Sequence, residues 1–438
     1  MHGAGDLSRR LSRWIDYGQC GMLQSILWTF SFCILESDIT QKMQQAMVDQ
    51  IKTSALDHKG DAANPEVKYF RPRYVRSLDG IRGVLILMVV QDHLDLLRHS
   101  VGFIGVNCFF VLSGFLITWL LVSEWNDSGT IKLKDFYYRR ALRLFPALFV
   151  MLALFAPYTC LVSPPRTVAR DFHYILWALF YFTNWGQVLG CGDIANHLAH
   201  TWSLSIEEQF YLLWAPMLLL LLHRTESKTS LLWWTVLAAL CSVLIRAYCT
   251  FFGEAGFYGF WRVSRGLDAR ADSLLIGCAA GIIVTAQLLP RRRWLEWALY
   301  LAAAISIGGL IWVSWHEIYD SWMYYVGWFL ASLFTAIIIL HLVYSPRGML
   351  HRIFEASPLV YVGIISYGLY IWHFPIFNII HERYPNHWQF TAVAAALAAT
   401  LLSYYLVERP CLRLKKKFSR IGQSVKQAET PVLIPADG

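Results

Sequence analysis

Arg82 and His93 share one apolar run, LDGIRGVLILMVVQDH, eleven positions apart. On a helix that spacing makes about three turns and a rise of about 16 Å, so both side chains lie on nearly one face. A histidine there is either a polar helix contact or a general base, because imidazole takes a proton near neutral pH. Arg139, Arg140 and Arg143 stand in FYYRRALRLFP, at the start of another apolar run. They read either as a charge anchor or as a clamp for phosphates, which arginine binds through a planar fork of donors. HLAHTWSLSIEEQFYLLWAP places His200, Trp202 and Ser203 just ahead of Glu207 and Glu208. Two carboxylates at that point could orient a catalytic histidine or bind acceptor hydroxyls. Favourable charge at a helix N-terminus explains one of them more readily than both. Arg270 and Asp272 in SRGLDARADSLLIG form either a structural ion pair or a substrate contact, and His373 falls inside SYGLYIWHFPI. Glu408 with Arg409, in VERP, reads as the boundary of the last apolar run. No metal-ligand spacing is visible.

The elements that must hold these residues are membrane helices. Of 438 residues, 56% are hydrophobic and only 16% charged. Several stretches approach the roughly 20 apolar residues that cross a bilayer core of about 30 Å. Backbone polar groups in lipid must be satisfied internally, so these stretches are expected to be helices. Many of the 19 Trp and 22 Tyr sit near the ends of the runs, as an interfacial belt requires. The predicted architecture is all-α: about ten spans at 81–97, 102–123, 142–163, 205–222, 230–251, 272–289, 295–315, 323–344, 358–380 and 389–407. The stretch 174–189, interrupted by Asn184 and Gly186, is expected to be re-entrant or interfacial.

The net charge of +8 is carried by short basic clusters between the runs, which indicates topology rather than nucleic-acid binding. With the N-terminus inside, Lys132 to Arg143, Arg291 to Arg293 and Arg413 to Lys417 all fall on the inner side. Both termini are then cytosolic, and an eleventh span at 174–189 would put every later cluster on the wrong side. Residues 1–76 form a polar extension in which Met22 to Leu35 is expected to be an interfacial helix, residues 77–418 the membrane domain, and 419–438 a polar tail. Most of the nine cysteines lie in apolar runs. Cys160 and Cys191 flank one outer loop, and a disulfide between them is an open possibility.

Taken together, LDGIRG…DH, GVNCFFVLSGFLIT, FYYRRALRLFPA, HTWSLSIEEQFYLLW, RADSLLIG, SYGLYIWHFPI and VERP resemble the acyltransferase 3 family, in its order, from Ser77 to Lys417. The resemblance implies transfer of an acyl group, often acetyl, from a cytosolic coenzyme A thioester to an acceptor hydroxyl. It implies that Arg82 and His93 match the family's essential Arg-x10-His element, and that Arg140 and Arg143 match its Arg-x2-Arg element, placed for the donor. Two positions depart from the pattern. Asp92 stands where an aromatic residue is frequent, and Asn107 where Asp is frequent; both change the charge near the presumed site.

The expected enzyme is a membrane O-acyltransferase with acyl-CoA as co-substrate and no bound cofactor. His93 is the expected base, with Glu207 and Glu208 in support, and Arg82, Arg139, Arg140 and Arg143 on the donor. His200, Ser203, Arg270, Asp272 and His373 are expected to contact the acceptor: a carbohydrate, glycolipid or small metabolite. The rivals are a proton-coupled transporter or lipid flippase using the same buried charges, and an inactive receptor-like member of the fold.

Overall fold

The computed structural model describes residues 74–415, apart from 97–99, 191–195, 226, 253–256, 291, 346–347 and 387. The predicted helix Met22 to Leu35, Cys191 of the possible disulfide, and the C-terminal tail lie outside the described residues. Among those described there is no strand.

The first elements are α1 (Arg76–His93), α2 (Val101–Ser128) and α3 (Leu133–Val162). Then come α4 (Pro165–Leu179), α5 (Thr183–Val188) and, after a single 3-10 turn at Ala199–Thr201, α6 (Trp202–Arg224). α7 (Lys228–Phe252), α8 (Phe257–Arg265), α9 (Leu267–Thr285) and α10 (Arg293–Ser314) follow. A π turn at Met323–Gly327 leads into α11 (Trp328–Tyr344), then α12 (Met349–Phe354), α13 (Ser357–Ile364) and α14 (Ser366–Arg383). α15 (Trp388–Ser403) continues through a second π turn, Tyr404–Glu408, into α16 (Arg409–Lys415).

Each of the ten expected spans falls on a helix. Among the described residues, seven helices are long and apolar enough to cross a membrane, and α13 with α14, bent by 69°, makes an eighth if the pair is one span. The remaining two are α1 and α9. α1 carries Arg76, Asp79, Arg82 and Asp92, and α9 carries Asp268, Arg270 and Asp272. Such charges are tolerable at membrane depth only when protein rather than lipid surrounds them. α9 meets that condition: it is almost wholly buried and packs against α2, α7 and α11. Lipid-facing helices show the reverse. Only 17% of the apolar window of α10 is buried, against 78% in α2, and Leu301, Ile305 and Ile311 stand exposed. The 174–189 stretch forms the end of α4 and the short α5, broken at Tyr181, which takes a left-handed φ of 53°. Neither piece reaches the length of a span.

Two helices depart from their expected bounds in ways that bear on the site. α1 runs 76–93 instead of 81–97, because the chain turns at Leu94 and Asp95 takes φ 53°, a region that Asp enters more readily than most residues. Arg82 is therefore mid-helix and His93 the last helical residue. α3 begins nine residues before its expected start, so its arginines lie within the helix and not at its entrance.

Candidate active site

The end of α1 meets the start of α6 and the middle of α14, and three imidazoles converge there. His93 and His373 have ring centroids 5.1 Å apart, and His200 lies 5.7 Å from His373. Phe374 packs edge-on against His93 at 4.8 Å and lies over His200 at 5.0 Å. His93 Nδ1 is 2.9 Å from the Val89 carbonyl and 3.3 Å from His373 Nε2. His373 Nδ1 is 3.0 Å from the Leu369 carbonyl. In both cases the carbonyl is one helical turn back, so each ring is held by its own helix. Among the described residues no group of three or more His, Cys, Asp or Glu is arranged to hold a metal ion.

His93 and His200 line a cavity of about 360 Å³, together with Asp92, Trp202, Tyr370 and Arg265. His373 is fully buried behind His93, and Ser203 stands beside the cavity, 2.5 Å from the Tyr370 hydroxyl. That hydroxyl donates to the His200 carbonyl at 2.6 Å. Tyr370 and His373 are three residues apart, on one face of α14, and this spacing is the signal that could have marked Tyr370. Arg265 is a second addition to the expected set. Its guanidinium lies between the rings of Trp202 (4.5 Å) and Trp261 (4.3 Å) and donates to Gln187. Its five-residue offset from Arg270 gave no local cue.

A second polar cluster gathers on α1, α3 and α6. Arg82 lies 3.5 Å from Asp79 and interacts with Glu207 and Arg140. The Arg140 guanidinium sits 3.7 Å over the Tyr211 ring and faces both Glu207 and Glu208. Arg143 faces Arg82 and Arg140. Glu207 accepts a hydrogen bond from Ser113 at 2.9 Å. The structure thus joins Glu207 and Glu208 to the arginines, while the partner of His93 is another imidazole. Glu408, read from sequence as a helix boundary, is 5% exposed on its π turn and within electrostatic reach of Arg143. π turns of this kind recur at functional sites, because the extra residue re-aims the side chains that follow.

Three expected residues lie elsewhere. Arg139 pairs with Glu124 at 3.1 Å, away from its two neighbours. Arg270 and Asp272 are wholly buried in the α2–α7–α9–α11 core and do not line the cavity. Asp272 pairs with Arg246 at 2.7 Å, and Arg270 donates to Asn107 at 2.8 Å. Asn107 also donates to the Trp328 carbonyl (3.1 Å) and to Ser332 (3.0 Å). An aspartate at 107 would have no donor for those two acceptors.

Comparison with known proteins gives the family. A family profile described as an acyltransferase domain matches residues 75–408. The chain is 32% identical over 356 residues to the peptidoglycan O-acetyltransferase OatA of Listeria monocytogenes, covering 77% of this chain and 56% of that protein. It is 30% identical over 387 residues to the O-acetyltransferase OatA of Staphylococcus aureus, covering 84% of this chain and 62% of that one. The chain therefore spans less than two thirds of the length of these relatives. No solved structure matches. The match spans both polar clusters and every helix from α1 to α15, and the chain belongs to the acyltransferase domain family.

Proposed function

We propose that the chain is a membrane O-acyltransferase that moves an acyl group from a coenzyme A thioester to a hydroxyl of an acceptor seated beside His93. One observation carries the reading: His93 lines the cavity with Nδ1 engaged and Nε2 without a partner among the described residues, on the same helix as Arg82 of the arginine cluster. In this reading Arg82, Arg140 and Arg143 hold the donor phosphates, and the pantetheine arm spans the roughly 16 Å of helix between them and His93. His93 Nε2 takes the proton of the acceptor hydroxyl as its oxygen attacks the thioester carbonyl. The carbon–sulfur bond breaks, and the leaving thiolate takes the proton from the imidazolium. The ester and free coenzyme A thiol leave, and His93 returns neutral. The names of the relatives favour acetyl as the group, and a carbohydrate, glycolipid or small metabolite remains the acceptor class.

The charge pattern supports cytosolic termini, with the donor entering from the cytosol. The competing reading, a proton-coupled transporter or flippase, is favoured by the buried carboxylates Glu207 and Glu208 beside three arginines. Purified full-length protein in nanodiscs, given acetyl-labelled coenzyme A and a panel of hydroxyl acceptors, separates the two. An enzyme forms a labelled ester and releases thiol. A transporter forms no ester with any acceptor and moves protons or solute when reconstituted in vesicles.

A further inference from the structure

We propose that His373 is a positioning residue for His93: it accepts the Nδ1–H of His93 and shares the positive charge that forms when His93 takes the acceptor proton. The inference rests on the acyl-transfer reading above and extends it to a residue that the sequence alone assigns to the acceptor.

The direction of the bond follows from the two carbonyls. A carbonyl oxygen only accepts, so an imidazole nitrogen 2.9 Å from one, as His93 Nδ1 is from Val89, must carry the hydrogen. The same holds for His373 Nδ1, 3.0 Å from Leu369. In a neutral ring the other nitrogen is then a lone pair. His373 Nε2 is that lone pair, and it lies 3.3 Å from His93 Nδ1. The His93 N–H is shared between Val89 and His373, and the only arrangement that satisfies all three contacts leaves His93 Nε2 as the free base at the cavity wall.

The surroundings give the arrangement its effect. His373 is 0% exposed, and its ring is fixed by Phe377, edge-on at 5.6 Å, and by Tyr370 at 5.7 Å. It therefore offers His93 one orientation and no competing water. Neither Glu207 nor Glu208 is placed to do this, since both face the arginines. When proton transfer makes His93 an imidazolium, its Nδ1–H bond to His373 becomes charge-assisted and strengthens in the low-dielectric interior. The proton of His373 stays on Nδ1 throughout, so no second proton transfer is needed. An interaction that is stronger with the charge present than before it accelerates the step and leaves binding unchanged.

Two substitutions separate this role from packing. His373→Phe fills the space among Phe374, Phe377 and Tyr370 but accepts no hydrogen bond. His373→Gln places an amide oxygen where Nε2 was. In purified protein, His373→Phe is expected to lower kcat about 10–100-fold, the usual worth of a hydrogen bond to a charged group, with KM for donor and acceptor unchanged. His373→Gln is expected to recover most of that loss at equal or lower thermal stability. Equal loss in both variants, tracking their stability, would show a packing role. A raised acceptor KM with kcat intact would make His373 a substrate contact, and either result overturns the proposal. A wild type that forms no ester removes the acyl-transfer reading, and the positioning role with it. Spectra of ¹⁵N-histidine protein decide the bond direction independently of activity: His93 protonated on Nδ1 and His373 Nε2 unprotonated are expected, and a His93 protonated on Nε2 contradicts the assignment.

Discussion

Three arginines close in sequence end in different environments, and the helical period explains why. Arg140 and Arg143 are three apart and share a face, whereas Arg139 is turned about 100° from Arg140 and meets Glu124. With these two as the phosphate clamp, Arg140→Ala and Arg143→Ala are each expected to raise the donor KM by about 1.5–3 kcal/mol, roughly 10–100-fold, with acceptor KM unchanged. Arg139→Ala, which removes a partly exposed ion pair, costs about 0–1 kcal/mol and changes the donor KM by a few-fold at most. Steady-state kinetics with the donor varied measure this, and equal small effects at all three positions would leave them as topological anchors. At this scale the sequence was informative about residue type and weaker about company. Arg82, His93, Arg140 and Arg143 stand out as ionisable residues in apolar runs, and that is a local property. That Glu207 would face the arginines, or that Arg270 would be sealed in the core, depends on which helices pack together, and no spacing along one chain carries that.

The helices themselves were legible because lipid allows only one backbone solution for a single apolar run, and all ten expected spans lie on helices. Their ends were less so. The break at Asp95 falls among Gln91, Asp92 and His93 on one side and Leu96 and Leu97 on the other, and those last leucines extend the apparent run past the helix end; the bend between α13 and α14 has no proline to announce it, since Pro375 lies ten residues further on. The crossing of α2 and α9 is set by small residues. A Cβ on Gly277 would collide with the Val111 carbonyl, and one on Gly114 with the Leu274 carbonyl, so each helix backbone rests on the other's glycine. Gly277→Leu must push the pair apart and strain the Arg270–Asn107–Ser332 network beside it. The expected result is a loss of about 1–3 kcal/mol, read as a lower midpoint of thermal unfolding in detergent. An unchanged midpoint would mean that the two helices are not held at this separation.

At the scale of the whole molecule, the proposed function divides the labour between the two polar clusters. The arginine cluster with Glu207, Glu208 and Glu408 lies along α1, α3, α6 and the second π turn, and the imidazole cluster opens into the cavity at the other end of α1. The reading therefore requires the segment at Arg291–Arg293 and both termini to face the cytosol, on the donor side. Single cysteines placed there and in the His316–Ser321 segment, labelled with an impermeant reagent in sealed vesicles, are expected to report opposite sides; a common side would break the assignment. The central claim is that His93 is the base, and His93→Gln tests it most directly. The amide keeps a hydrogen-bonding group of similar size but cannot take a proton. With acetyl-labelled coenzyme A and an acceptor that the wild type uses, His93→Gln is expected to bind donor normally and to lose about 10²–10⁴-fold in ester formation, the usual worth of a general base. Ester formation at the wild-type rate by a well-folded His93→Gln protein would contradict the account.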